Sequence, residues 1–241
     1  KDFHTYFYPS ERKLPDPDNS ESFYPDDSLS SEFSGMAIGP LAPEDVEHTR
    51  DKRIADWAIG QLQKKHEKPF FIGIGFHKPH LPWTAPELYF DKFDLHEIQL
   101  PIVRDDDLAD IPHMGKIFSQ SLFGFYRMDE KSDHEFITEE PLLWKRFVRA
   151  YLATINYMDA MVGRVLDALH ASRYSDNTII VLWGDHGWHL GEKEHWRKMT
   201  LWERGTKTPL IFYVSGNSTN GAKVKQAVSL QDIYPTLVEL C

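Results

Sequence analysis

What most constrains this chain is the run from Thr178 to Lys198, TIIVLWGDHGWHLGEKEHWRK. Five apolar residues, Ile179 to Trp183, follow the polar Ser175-Asp176-Asn177, and their β-branched content suits a strand buried on both faces. The strand stops at Gly184, and Asp185-His186 come at once. In an open α/β sheet, ligands bind in the crevice beyond the carboxyl ends of the strands. A carboxylate and an imidazole on that rim, with Gly184 and Gly187 letting the backbone turn tightly, are a candidate pair of metal ligands. They do not complete a site, because a hard cation such as calcium takes about six to eight oxygens. The plainer alternative is a polar turn after a strand. Against it stand the titratable groups from His189 to Lys198, crowded beside Trp188 and Trp196 as in no ordinary surface loop.

A second apolar run, Phe70 to Phe76, also ends in a polar cluster, His77-Lys78-Pro79-His80. Two strands that each deliver His, Lys or Asp at their carboxyl ends can set those groups on one rim. Prolines 79, 82 and 86 stiffen the exit and lower the entropy cost of holding His80. For His77 a purely structural role, bonded to backbone, stands beside the functional one. Pro141 to Leu169 repeats apolar residues at steps of three and four and predicts a long helix, leading through a short polar turn into the first strand. That α-to-β step implies an α/β fold with a largely parallel sheet flanked by helices.

Elsewhere the signals are weaker. Tyr6 to Pro43 is rich in Pro, Ser, Asp and Tyr without a sustained period and reads as an irregular loop excursion over residues 6–43. Pro43-Glu44-Asp45 reads as the start of a helix running to Lys64, with acidic residues in its first turn and basic ones at its end. Arg104-Asp105-Asp106-Asp107 reads as a solvated turn, since the glycine and distal glutamate of an EF-hand loop are missing. Pro209 to Val214 is a further strand, Val228 to Leu230 a short edge strand, and Asp232 to Leu240 a final helix. Asn217-Ser218-Thr219 has the form of a glycosylation sequon, informative only for a secreted eukaryotic protein.

At 241 residues and 41% apolar, the chain is large enough for one α/β core. Its net charge of -10 argues against nucleic acid or an anionic membrane as partner, so an anionic substrate would have to be drawn in by a local cationic cluster. A single cysteine, Cys241, excludes an internal disulfide, and no apolar run is long enough to span a bilayer.

The string GDHGWHLGEKEHWRK, together with HKPH and the TPLIF run at Thr208 to Phe212, resembles the type I sulfatases of the alkaline phosphatase superfamily, and among them the iduronate-2-sulfatase group. The likeness extends over Tyr151 to Val165 and so covers most of the chain. It implies an alkaline-phosphatase-like fold, with residues 1–241 as the central and C-terminal part of a catalytic domain that lacks the N-terminal nucleophile segment and the C-terminal subdomain. It implies that Asp185 and His186 bind one calcium ion, that Lys198 binds the sulfate, and that His80 binds the sulfate or protonates the leaving group. Lys1-Asp2-Phe3-His4 fits the GK-x-x-H element of such enzymes, which makes Lys1 and His4 catalytic candidates and begins the chain in the middle of a motif. The nucleophile, a formylglycine made from Cys or Ser in a C-x-P-S-R or C-x-A-S-R sequence, is expected in the missing segment; Cys241, in the context Val-Glu-Leu-Cys, does not match.

The implied reaction is hydrolysis of a sulfate ester on a sulfated sugar, in the narrower form a uronic acid 2-sulfate of a glycosaminoglycan or related polysaccharide. His77, Lys78, Trp188 and Arg197 are then candidate substrate contacts, Trp188 under the sugar ring and the others toward a carboxylate. The implied partners are the saccharide and the missing N-terminal part of the same protein, and the implied location is periplasmic or secreted in a bacterium, lysosomal in an animal. Two other readings remain: a phosphatase or phosphodiesterase of the same superfamily, and a noncatalytic binder that keeps the anion pocket. On the first reading, His4, His80, Asp185, His186 and Lys198 are expected to converge on one pocket.

Overall fold

The computed structural model describes residues 37–121 and 132–241. In chain order its elements are β1 (Ile38–Leu41), α1 (Arg50–Leu62), β2 (Trp83–Pro86), α2 (Glu87–Phe90), α3 (His113–Ser121), α4 (Asp133–Thr138), α5 (Pro141–His170), β3 (Ile179–Trp183), β4 (His189–Leu190), β5 (Trp196–Arg197), α6 (Glu203–Thr206), β6 (Leu210–Val214) and α7 (Ile233–Leu240). The described residues divide into two compact units, 37–102 with 132–173, and 103–121 with 174–241.

The first unit is organised on α5, the long helix that its periodicity predicts. Pro141 opens it at a position where a missing N–H costs nothing, and Phe147, Ala150, Thr154, Tyr157, Met161 and Val165 form its buried face. That face packs on α1, α2, α4 and the strand β2. Trp83 in β2 is 0% exposed and lies edge-on to Phe147 at 6.1 Å and to Tyr151 at 5.3 Å. β2 pairs with β1 in parallel, Ile38 opposite Trp83. The end of the stretch read as irregular loop is therefore a strand, a short one that alternation over four residues gives no means of detecting. The helix read as continuous from Pro43 is instead a 3-10 turn, Pro43–His48, followed by α1. Extended backbone at Thr49 breaks it, and the Thr49 hydroxyl bonds the Val46 carbonyl at 2.9 Å and the buried Tyr157 hydroxyl.

Residues 70–76 carry no strand assignment, which corrects the expectation of a second buried strand, and burial alternates between half-buried and exposed along them. A strand buried on both faces needs a sheet on either side, and the ladder that this unit's described residues build is β1–β2.

In the second unit β3 pairs with β6 antiparallel, Ile179 opposite Val214 and Trp183 opposite Leu210. A parallel pairing needs a crossover, commonly a helix; between these strands lie a hairpin, turns and the four-residue α6. β3 is half-buried and Trp183 is 48% exposed, where burial on both faces was expected, because among the described residues β6 alone flanks it. β4 and β5 form a small antiparallel hairpin, His189 opposite Arg197. The final helix is seen as α7, after a 3-10 turn, Leu230–Asp232, that Ser229 caps; this turn takes the place of the expected edge strand. No described helix is long and apolar enough to cross a membrane.

Candidate active site

The carboxyl end of β3 runs into a loop that leaves no room for a Cβ at either of its glycines. Gly184 donates to the Pro209 carbonyl at 3.1 Å and Gly187 to the Gly205 carbonyl at 2.8 Å, pinning the loop to the chain around α6. A Cβ on Gly187 would lie 2.0 Å from the Arg204 carbonyl oxygen, and one on Gly184 would lie 2.2 Å from the Thr208 hydroxyl. Between the two glycines Asp185 projects outward, its side chain 84% exposed, with an oxygen 3.4 Å from His186 Nε2. The other ring nitrogen of His186 faces the Gly187 carbonyl at 2.8 Å, so in the neutral imidazole Nδ1 carries the proton and Nε2 keeps a lone pair beside the carboxylate. An oxygen donor and a nitrogen donor thus face the same side.

The β4–β5 hairpin brings Lys198 back to this loop. Because His189 lies opposite Arg197, Trp188 and Lys198 are the next cross-strand neighbours. The Lys198 ammonium stands 5.8 Å above the Trp188 ring, and that ring lies 6.2 Å from His186. Gly205 backs the arrangement: a Cβ there would meet the Lys198 carbonyl oxygen at 3.0 Å. Asp185, His186, Trp188 and Lys198 are therefore brought together, whereas Arg197 sits half-buried in β5. Behind the hairpin His189 is 0% exposed, its ring nitrogens facing the Thr200 hydroxyl at 2.9 Å and the Glu192 carbonyl at 3.1 Å, and burial lowers its pKa.

In the first unit the cluster His77-Lys78-Pro79-His80 is held by a residue that sequence reasoning missed. Asp51, in the first turn of α1 and 2% exposed, accepts the His77 N–H on one oxygen at 2.7 Å and the Lys78 N–H on the other at 2.9 Å. Trp83 Nε1 adds a bond to the Pro79 carbonyl at 2.8 Å. His77 Nε2 and His80 Nδ1 both face the Leu81 carbonyl, at 3.2 and 2.7 Å, and their rings lie 4.9 Å apart. In its neutral form His80 therefore carries its proton on Nδ1 and its lone pair on Nε2. Burial, with Lys78 and His80 nearby, lowers the pKa of His77. Burial likewise pulls the Lys78 ammonium down to about 8, against the opposing field of Asp51. That ammonium donates to the Pro82 carbonyl and, at 3.4 Å, to the Thr84 hydroxyl.

Lys1 and His4, the remaining catalytic candidates, lie outside the described residues. Two other missed residues matter. Asp107, read as part of a solvated turn, is half-buried and bonds Lys193, while its neighbour Asp106 does form the exposed pair expected of such a turn, 2.9 Å from Arg104. Gly205 carried no signal beyond a glycine in a polar stretch. For a cation, Asp185 and His186 supply two donors, and among the described residues no group of three or more His, Cys, Asp or Glu is placed to hold one. The exposed carboxylate fits a hard divalent ion as a partial ligand set, with further oxygens required from elsewhere.

The sulfatase family profile matches residues 1–241. A protein of Formosa agariphila described as a sulfatase is 40% identical over 198 residues, which cover 82% of this chain and 37% of that protein. The human iduronate 2-sulfatase is 31% identical over 176 residues, 70% of this chain and 31% of that protein. Among solved structures, the phosphonate monoester hydrolase of Agrobacterium radiobacter superposes with a TM-score of 0.70 at 21% identity, covering 86% of this chain and 42% of that one, a likeness of α/β fold. The chain thus spans about a third of the length of the curated relatives it matches.

Proposed function

The chain belongs to the sulfatase family, and from that premise we propose that it takes part in hydrolysing sulfate esters carried on a sugar. The observation that carries the reading is the grouping on the β3 loop and hairpin: two metal-donor side chains at 3.4 Å, an aromatic face, and an ammonium 5.8 Å above that face. A sulfate ester is an anion that resists attack, so its oxygens must be neutralised and the leaving alkoxide must receive a proton. Lys198 binds a sulfate oxygen, joined by Lys1 at the start of the chain. Asp185 and His186 contribute to holding a calcium ion, which when bound withdraws charge from the sulfate. His80, held through Nδ1 by Leu81, gives a proton from Nε2 to the leaving oxygen, with His4 as its counterpart near the nucleophile. Formylglycine, from a segment beyond these residues, supplies the nucleophile.

In its finer form the substrate is a uronic acid 2-sulfate of a glycosaminoglycan or related polysaccharide, met in the periplasm, outside a bacterial cell or in an animal lysosome. The sugar ring stacks on Trp188, and its carboxylate is read by Arg197, His77 or Lys78. Lys78 already serves the Pro82 carbonyl and the Thr84 hydroxyl, so a carboxylate that it reads must compete with both. The test is an assay of the full-length protein, formylglycine installed and calcium present, on sulfated saccharides with and without the carboxylate. We expect turnover of the carboxylated members, with a loss of about 1.5–3 kcal/mol in kcat/KM when the charged contact is removed, as in Lys78→Ala or Arg197→Ala. Equal kcat/KM on both kinds of sugar would overturn the uronate reading and leave the sulfatase. Binding without turnover on every ester would overturn the sulfatase reading in favour of a noncatalytic binder, and turnover of phosphate esters alone in favour of a phosphatase.

A further inference from the structure

The β4–β5 hairpin is two residues a side, too short to hold its own shape in water. It is also strained. Lys193, Glu194 and Arg197 adopt φ of 60°, 50° and 79°, a left-handed conformation that is unfavourable for residues other than glycine. Two of the three form the tip, and the third immediately precedes Lys198. Something outside the hairpin must fix this geometry, and at the tip it is visible. Asp107 reaches Lys193 three times: an oxygen accepts the Lys193 N–H at 3.2 Å, the other accepts the ammonium at 2.7 Å, and the Asp107 carbonyl accepts the ammonium at 2.9 Å. The Asp107 side chain is 17% exposed and that of Lys193 29%, so water screens the pair only in part. The bonds to Lys193 hold the carboxyl of Asp107 below its usual range.

We propose that Asp107 is a positioning residue for Lys198, fixing the tip of the hairpin so that the Lys198 ammonium stays over the Trp188 ring; this rests on the sulfatase reading of Lys198. The strap works at a distance. Asp107 touches Lys193, Lys193 sets the turn, and the turn fixes the register that puts Trp188 and Lys198 side by side. The stretch that carries Asp107 belongs to the same compact unit as the hairpin although 86 residues separate the two in sequence.

A double-mutant cycle in the full-length enzyme tests this. Asp107→Ala should lower kcat/KM on a sulfate ester by about tenfold in the wild-type background, a loss typical of a partner that orients a ligand. In the Lys198→Ala background the same change should cost nearly nothing, because its effect runs through Lys198. Lys193→Met removes the tie from the other side and should reproduce both results, which covers a failure of Asp107→Ala to fold. Equal fold losses in the two backgrounds would show a general structural role and overturn the proposal. A crystal structure of Lys193→Met gives a readout that does not need turnover: the Lys198 ammonium is expected to leave the Trp188 ring, and its retention at 5.8 Å overturns the strap. An active wild type whose cycle is additive refutes the strap alone, whereas a wild type inactive on every ester refutes the sulfatase reading and leaves the crystal structure to decide the strap.

Discussion

Lys78 and Asp51 show what a single residue can and cannot disclose. The Lys78 ammonium is charged in both the folded and the unfolded chain below pH 8, and the folded state carries the whole cost of burying it there. Between about 8 and the ordinary value of 10.5, the unfolded chain binds a proton that the folded chain has released. Stability therefore gains from this group as pH rises through that window. Urea unfolding of wild type and Lys78→Met at intervals from pH 7 to 10 should show the difference in unfolding free energy, wild type minus variant, increasing above pH 8. A constant difference would mean that the lysine titrates as if solvated. The polar cluster around Lys78 was legible because histidine, lysine and proline are rare together after an apolar run. Asp51 was not. With the helix read from Pro43, Asp51 stood in its interior, and nothing in the sequence separates a solvated helical carboxylate from one that accepts two backbone N–H groups. Its removal would leave both donors orphaned, at about 1–3 kcal/mol each.

At the scale of elements, the glycines around Asp185 are the part of the site that sequence and structure share. Both Gly184 and Gly187 were legible as a tight turn, but what each one abuts was not, and the two differ in kind. The obstruction at Gly184 is a side-chain oxygen, Thr208 Oγ1 at 2.2 Å, with the next atoms at an ordinary 3.6 Å. At Gly187 it is backbone, the Arg204 carbonyl at 2.0 Å and the Lys207 carbonyl at 2.8 Å. Gly184→Ala should therefore lower the melting temperature as an overpacked site does, by about 1–3 kcal/mol in stability, and Thr208→Ala should restore most of it. Gly187→Ala should lose at least as much, and no side-chain truncation should rescue it. Wild-type melting of Gly187→Ala would show that α6 does not back the loop. Long-range partners explain the other failures as well. The 30-residue α5 declares itself by period alone, whereas residues 70–76, apolar enough for a buried strand, carry no strand assignment, because pairing depends on neighbours that a local pattern does not contain.

At the scale of the whole chain, its net charge of -10 has to be reconciled with the anionic substrate that the proposed function requires. Repulsion between exposed charges is screened beyond about 10 Å at ordinary salt, so the global field governs the approach more than the bound state. In the proposed function binding is assigned to Lys198 and proton transfer to His80, and the two residues belong to different compact units. Family membership was legible chiefly from GDHGWHLGEKEHWRK and HKPH, since both pack residue types that chemistry rather than folding demands, and the α/β class from the long helix leading into β3. A joint role for the two clusters has to be tested by function. If His80 and Lys198 serve one transition state, His80→Ala should cost the full-length enzyme about 100- to 10,000-fold in kcat through the lost proton transfer, mostly for esters with poor leaving groups. Lys198→Ala should cost a comparable factor through the lost charge stabilisation. Residues that act as a unit are strongly non-additive, because once one is gone the transition state that the other supports is no longer reached. The double variant should then be little slower than the worse single variant. A loss equal to the product of the two single losses, measured as kcat/KM on one sulfate ester at one calcium concentration, would sink the joint role.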